Sequence, residues 1–305
     1  MSSRTATATD PPRRIFLWCN PRSLSTVFLK CVSCMDGADV WHEPYVYSLE
    51  NYIVSRPDLL QRYSQMKFTR RSQDEASVND EGTLQPASIF RYDWVKEQLE
   101  KPLKPGKTFL FVKDAPLAID GHFDKLPQVP FKHTFIIRNP LRSAPSFRNL
   151  CVKIFDYQGD VDQFDMNSCN PYVSIDTAVP DRLYAFWLYV KDNIEPHPVV
   201  IDADDLQIHP EQTLRNYCEA VGIPFKMSYL TWDESKEPLK RINAPKHLIS
   251  EEADAYVGAL SSSSFMPISS SPPNFEDLTP DAQKYCSCLL EGYNEMYQSR
   301  IKPII

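Results

Sequence analysis

Apolar positions along the chain fall into two rhythms, short unbroken runs and longer segments with helical spacing. Ile15 to Cys19 is a run of five apolar or aromatic residues, which suits a buried strand and is too short for an amphipathic helix. Asn20-Pro21 breaks it, because proline donates nothing to a ladder and steers its predecessor away from helical angles. Val27, Phe28, Cys31, Val32 and Met35 then recur at helical spacing. Ala38 to Pro44 reads as a short second strand stopped by proline, and residues 48–66 as helical. A helix is expected over Pro86–Lys101, and a third strand, rich in aromatic and branched residues, over Lys107–Lys113. A fourth strand at Phe131–Ile137 leads into a helix through Lys153. An apolar helix over Asp181–Glu195 precedes a fifth strand at Pro198–Ile201. Glu211–Val221 is a helix ended by Gly222, and Pro280–Ser299 holds the last one.

This alternation predicts an α/β fold with a central, mainly parallel five-stranded sheet flanked by helices. Polar, unpatterned stretches predict irregular insertions near 69–85, 159–180 and 261–273 within a single domain spanning 14–305. Residues 1–13 read as a disordered tail. The chain shows no internal repeat.

Composition narrows the class. With 305 residues, 42% hydrophobic and 24% charged, the chain is long enough to bury a sizeable core. A net charge of −7 argues against a general nucleic-acid or membrane-surface binder. Any anion site must therefore gather its basic residues locally. Eight glycines against 26 prolines disfavour a glycine-rich nucleotide loop. The start, MSSRTATATDPPRR, has no apolar run, and no later segment reaches the ~20 apolar residues of a membrane span. The eight cysteines read as free thiols, and Cys31-Val-Ser-Cys34 lacks the second pair that zinc would need. A cytoplasmic setting and no metal are the expectation.

Polar residues collect at the carboxyl ends of the predicted strands, where open parallel sheets bind ligands. Strand one runs into Arg22-Ser23-Leu24-Ser25-Thr26, a cation with three hydroxyls at a helix start. Helix-terminal N–H groups, the helix dipole and such donors together make an anion site. The same stretch also reads as an ordinary connection capped by Ser23 or Ser25. Strand two ends in His42-Glu43, strand three in Lys113-Asp114, strand four in Arg138-Asn139, and strand five in Asp202-Ala-Asp204-Asp205.

The pairing of NPRSLST after strand one with RNPLRSAPSF after strand four resembles the sulfotransferases that use 3′-phosphoadenosine 5′-phosphosulfate, PAPS. The resemblance covers roughly residues 14–225 and is to a divergent branch with an NPRSxST loop and a His42-Glu43-Pro44 motif. It implies a P-loop NTPase-like sandwich. It also implies sulfuryl transfer from PAPS to a hydroxyl or amine of a small-molecule acceptor, leaving PAP, the desulfated product, with no metal required. By the same resemblance Arg22, Ser23, Leu24, Ser25 and Thr26 cradle the 5′-phosphosulfate, while Arg138 and Ser146 hold the 3′-phosphate. Lys113 steadies the bridging oxygen, and Glu43 is the base, with Asp114 second. Arg142 and Arg148, on the same helix as Ser146, are exposed candidates for the 3′-phosphate or simply solvated cations. The tryptophan that the cytosolic branch stacks on adenine is Val27 here. Its Arg-Lys-Gly segment is absent, with Lys240-Arg241 or Lys246 in its place. A nucleotide kinase or NTPase, and a non-catalytic nucleotide-binding module, are the alternatives. The absence of G-x-x-x-x-G-K-[ST] speaks against the first.

Overall fold

A computed structural model describes residues 13–62, 84–85, 87–169, 181–235, 241–245, 257–268 and 270–303. The chain opens with β1 (Arg13–Cys19), α1 (Ser25–Ser33), β2 (Ala38–His42), α2 (Pro44–Ser55) and α3 (Pro57–Arg62). A two-residue strand β3 (Leu84–Gln85) precedes α4 (Tyr92–Glu100), β4 (Phe109–Asp114), β5 (Lys132–Ile137) and α5 (Pro140–Ile154). Then come α6 (Met166–Cys169), α7 (Arg182–Asn193), β6 (Val199–Asp202), α8 (Ala203–Ile208) and α9 (Pro210–Val221). The described chain finishes with β7 (Ile242–Pro245), α10 (Val257–Leu260) and α11 (Pro280–Gln298).

The strands form one sheet in the order β3-β7-β2-β4-β1-β5-β6, and every pairing is parallel. Six strands make the body of the sheet, and β3 adds two residues at one edge. The expected five-stranded sheet is therefore too narrow. Its five strands are all present as β1, β2, β4, β5 and β6, but β7 was not foreseen. Ile-Asn-Ala-Pro has no apolar rhythm. Asn243 is held in the sheet by donating to Asp39 Oδ1 (2.8 Å) and to the Val40 carbonyl (2.9 Å).

β1 explains why its sequence is an unbroken apolar run. Ile15, Leu17 and Cys19 face a core shared with α1 and α9, while Phe16 and Trp18 face a second core shared with α2, α4 and α7. A strand covered on both faces has no polar side to present. A third cluster joins α5, α6 and α11. Arg148 lies inside it, donating from Nε to both Asp281 carboxylate oxygens (3.0 and 2.8 Å) and from Nη2 to the Val161 and Phe164 carbonyls. Arg148 is thus a buried strut, not an exposed phosphate ligand.

Local boundaries also shift. Pro44 opens α2, as a first-turn proline does. The helix expected from Pro86 starts only at Tyr92, after a 3₁₀ turn at Ala87–Ile89. Arg13, expected in the tail, begins β1, and residues 1–12 lie outside the described residues. Of the three expected insertions, 69–83 and 170–180 also lie outside them. The third is tied down where it is described, since Lys30 Nζ donates to the Ser262 carbonyl (2.8 Å) and Thr231 bridges Ser264. Because all strands run parallel, the carboxyl ends of β1, β2, β4, β5 and β6 share one rim. No helix among the described residues is long and apolar enough to cross a membrane.

Candidate active site

The loop from Asn20 to Leu24 joins β1 to α1, and its backbone is unusual. Arg22 (φ 66°) and Leu24 (φ 69°, ψ 4°) both sit in the left-handed region, with Ser23 between them outside it. Side chains other than glycine are disfavoured there, by of order 1–3 kcal/mol each. Alternating handedness turns successive N–H groups toward one concavity, a nest suited to anions. The nest leads directly into the N-terminus of α1, whose dipole adds to it. Leu24 is the N-cap and no side chain caps the helix, so neither Ser23 nor Ser25 plays the capping part. Ser23 is 2% exposed, and its hydroxyl has no hydrogen-bond partner among the described residues. Ser25 bonds the Cys19 thiol, whose pKa is raised chiefly by burial, and Thr26 is half-buried in the first turn.

The two motifs that lie far apart in sequence meet here. Arg22 Nε donates to Ser146 Oγ (2.9 Å) across a separation of 124 residues. Arg138, just past β5, donates from Nη1 to the Arg22 carbonyl (2.9 Å). Its Nε lies 4.0 Å from Asp204 Oδ1 and is buried without a hydrogen-bond partner among the described residues. Arg142 is not a free cation, since it donates to Asp204 Oδ2 (3.0 Å) and to the Ser270 carbonyl (2.8 Å). Burial pulls the Arg138 pKa down, Asp204 pushes it back up, and Arg142 and Arg22 repel it. Asn139 caps α5 by accepting from the Leu141 N–H (3.0 Å), which fixes the turn that carries Arg138.

Across β1 lies a second cluster. Lys113, the penultimate residue of β4, is 3% exposed and donates Nζ to Glu43 Oε1. Glu43 follows β2 in a left-handed conformation (φ 47°, ψ 42°), and its N–H donates to the Lys113 carbonyl (2.7 Å). His42, fully buried, places Nε2 3.8 Å from Glu43 Oε2. Burial depresses the Lys113 pKa, but Glu43 and Cys19 outweigh it and the net shift is upward. Asp114 has a different employment. It accepts from the N–H groups of Tyr45 (2.7 Å), Val46 (3.3 Å) and Ala115 (2.8 Å), which pins the start of α2 to β4. It has no exposed surface, and burial raises its pKa to about 8. The loop and this cluster are neighbours, because the Cys19 thiol contacts the Asp114 carbonyl (3.5 Å) and feels the charges of Lys113 and Glu43.

A cleft of about 350 Å³, open solvent included, lies beside the loop, lined by Asn20, Ser23, Arg138, Ser143, Asp181 and Tyr293 among others. The sequence reading did not single out Asp181 or Asn20. Asp181 caps α7 by accepting from Tyr184 N–H (3.1 Å) and is bonded by the Asn20 side chain. Burial raises its pKa to about 6 against those bonds. Its signal was present, an aspartate just before an apolar helix, but nothing local tied it to the loop. Arg241 is described at the start of β7's segment, whereas Lys240 and Lys246 lie outside the described residues.

No family model matches the chain. Two Arabidopsis thaliana proteins, branched-chain-amino-acid aminotransferase-like proteins 2 and 1, are each 28% identical to it, over 232 and 235 residues. Those matches cover 76% and 77% of this chain and 34% of each relative, so the chain spans about a third of the length of the curated relatives it matches. Among solved structures, a sulfotransferase domain from the curacin biosynthetic pathway is 14% identical with TM-score 0.47, covering 97% of this chain and all of that one. A mouse sulfotransferase complexed with PAP is 11% identical with TM-score 0.45, covering 95% and 90%. At TM-scores below 0.5 these likenesses establish no activity, and the functional reading rests on the geometry of the strand ends.

Proposed function

We propose that the chain transfers the sulfuryl group of PAPS to a hydroxyl or amine of a small-molecule acceptor, with Glu43 as base. The observation that carries this reading is the convergence of Arg22, Ser146 and Arg138 on one left-handed loop. Such a meeting supplies donors for two separate anionic groups, one at the nest and one where α5 begins. The residues fit a doubly anionic nucleotide. The Ser23 hydroxyl and Arg138 Nε are buried donors without partners among the described residues, which is costly unless a ligand takes up their hydrogen bonds. When bound, PAPS supplies an activated sulfuryl group on a nucleotide leaving group.

The chain's residues then have distinct tasks. The N–H groups of the Arg22–Leu24 nest, with Ser23, Ser25 and Thr26, bind the 5′ end. Arg22 presents a planar fork of donors toward the equatorial oxygens. Arg138 and Ser146 bind the 3′-phosphate and so distinguish this nucleotide from ATP. Arg138 can turn its fork from the Arg22 carbonyl and Asp204 to a ligand without moving the strand. Glu43 accepts the acceptor's proton, and Lys113 neutralises charge that develops on the bridging oxygen. Asp114, with three backbone N–H groups on its two oxygens, is set aside as base.

Calorimetry against PAP and AMP tests the reading. PAP should bind at least about a hundredfold more tightly, since the 3′-phosphate adds charge-assisted hydrogen bonds of roughly 1.5–3 kcal/mol each. Arg138→Ala should erase that preference and Arg22→Ala should weaken both ligands. Equal affinity for PAP and AMP in the unmodified protein would leave the 3′-phosphate site without support.

A further inference from the structure

His42 and Glu43 are adjacent in sequence, and in a regular strand their side chains would point to opposite faces. The left-handed backbone at Glu43 (φ 47°, ψ 42°) ends the strand there and brings both onto one side. His42 Nε2 then lies 3.8 Å from Glu43 Oε2, while Lys113 Nζ donates to the other oxygen, Oε1. On the far side of the ring, His42 Nδ1 is 3.2 Å from the Tyr47 hydroxyl, one turn into α2. His42 has no exposed surface and Tyr47 is 4% exposed.

We infer that His42 and Tyr47 form a positioning pair that sets the orientation and proton affinity of Glu43, an inference resting on Glu43 as the base. Among the described residues, Glu43 and Tyr47 from α2 lie against the two ring nitrogens, and Lys113 is the register partner of His42 on β4. A carboxylate held only by Lys113 would be drawn to the cation and turned from the acceptor. With Tyr47 donating its O–H to Nδ1, the ring carries its proton on Nε2, directed at Oε2. The carboxylate is then oriented at both oxygens, by Lys113 at Oε1 and by His42 at Oε2. The 3.8 Å gap is longer than a hydrogen bond, as contacts to a base often are before substrate arrives. Tyr47 thus fixes the tautomer, His42 passes that choice on, and Glu43 is the group that meets substrate.

The test begins without any turnover. In the full ¹⁵N-labelled chain, long-range proton–nitrogen correlation reads which ring nitrogen of His42 is protonated, the signal being assigned by its loss in His42→Asn. The expected state is Nε2–H, with nitrogen shifts that move in Glu43→Gln and again in Tyr47→Phe. A ring protonated at Nδ1, or one indifferent to Glu43→Gln, overturns the inference. In sulfuryl transfer, Tyr47→Phe removes one oxygen and should lower kcat by about tenfold to a hundredfold, as small misplacements do, with KM for PAPS unchanged. His42→Gln, which keeps a donor near the ε position, should retain more activity than His42→Ala. Equal kcat in Tyr47→Phe and the unmodified chain also overturns it. If the nitrogen signature holds while no acceptor is ever sulfated, the positioning pair stands and the proposed reaction fails.

Discussion

Among the described residues, three of the four non-glycine residues with positive φ, Arg22, Leu24 and Glu43, lie in the candidate site. A loop with glycines at these places would adopt the same shape without strain, so the side chains are kept against a conformational cost. That cost can be measured at single positions. Substituting Arg22 by glycine and by alanine removes the same contacts, and the two differ mainly in tolerance of the left-handed region. The glycine variant should be the more stable by about 1 kcal/mol in urea titration, with the same order at Leu24. Alanine proving the more stable at both would mean that the loop does not hold this backbone in solution. At this scale the chain's text was informative about chemistry and silent about shape. Arg22, Arg138, Glu43 and Lys113 were nameable from their places at strand ends, and Ser146 only from the resemblance, by its spacing from Arg138. The left-handed turns were not, because neither arginine nor leucine announces positive φ as glycine does. Arg148 was misread for the opposite reason. Its helix spacing looked solvent-facing, and Asp281, which buries it, is 133 residues away.

At the scale of elements, the site is held by links between strand ends more than by any one loop. Glu43 after β2 and Lys113 near the end of β4 are joined both by backbone and by side chains, that of Lys113 buried and that of Glu43 13% exposed. Removing one member of such a pair leaves a charge without its counterpart, at roughly 3–5 kcal/mol. Glu43→Gln and Lys113→Met should each destabilise by about 3 kcal/mol, and the double variant by clearly less than their sum. Strict additivity in that cycle would show that the two do not stabilise each other. Elements whose residues fit one environment throughout were legible: Ile15–Cys19, buried on both faces, could be little else. β7 was not legible, since its four residues include asparagine and proline. Its strand character comes from partners on β2 that only the folded chain supplies.

At the scale of the whole molecule, buried ionisable groups make stability depend on pH. His133 on β5 accepts the Trp18 Nε1–H (2.9 Å), and burial lowers its pKa from 6.5 to about 4. The folded chain therefore binds that proton less well than the unfolded chain. Its contribution is intact above pH 6.5 and is lost as pH falls toward 4, at about 1.4 kcal/mol per pH unit. Asp114, Asp202 and Asp181, raised by burial to about 8, 7 and 6, slope the other way, losing stability as pH rises from near 4. The His133 share is thus read as a difference. Between pH 7 and 4.5, His133→Gln should lose less stability in urea titration than the unmodified chain, by roughly 2 kcal/mol. Parallel curves would assign the acid sensitivity elsewhere.

Arg138 grips the loop by the carbonyl of Arg22, a main-chain atom that every substitution at position 22 preserves. The cradle's outline is consequently independent of the side chain at position 22. A chain altered only there should keep a shaped receptacle with its nest, Ser23 and Arg138 in place, in which the anion preference can be retuned by one side chain.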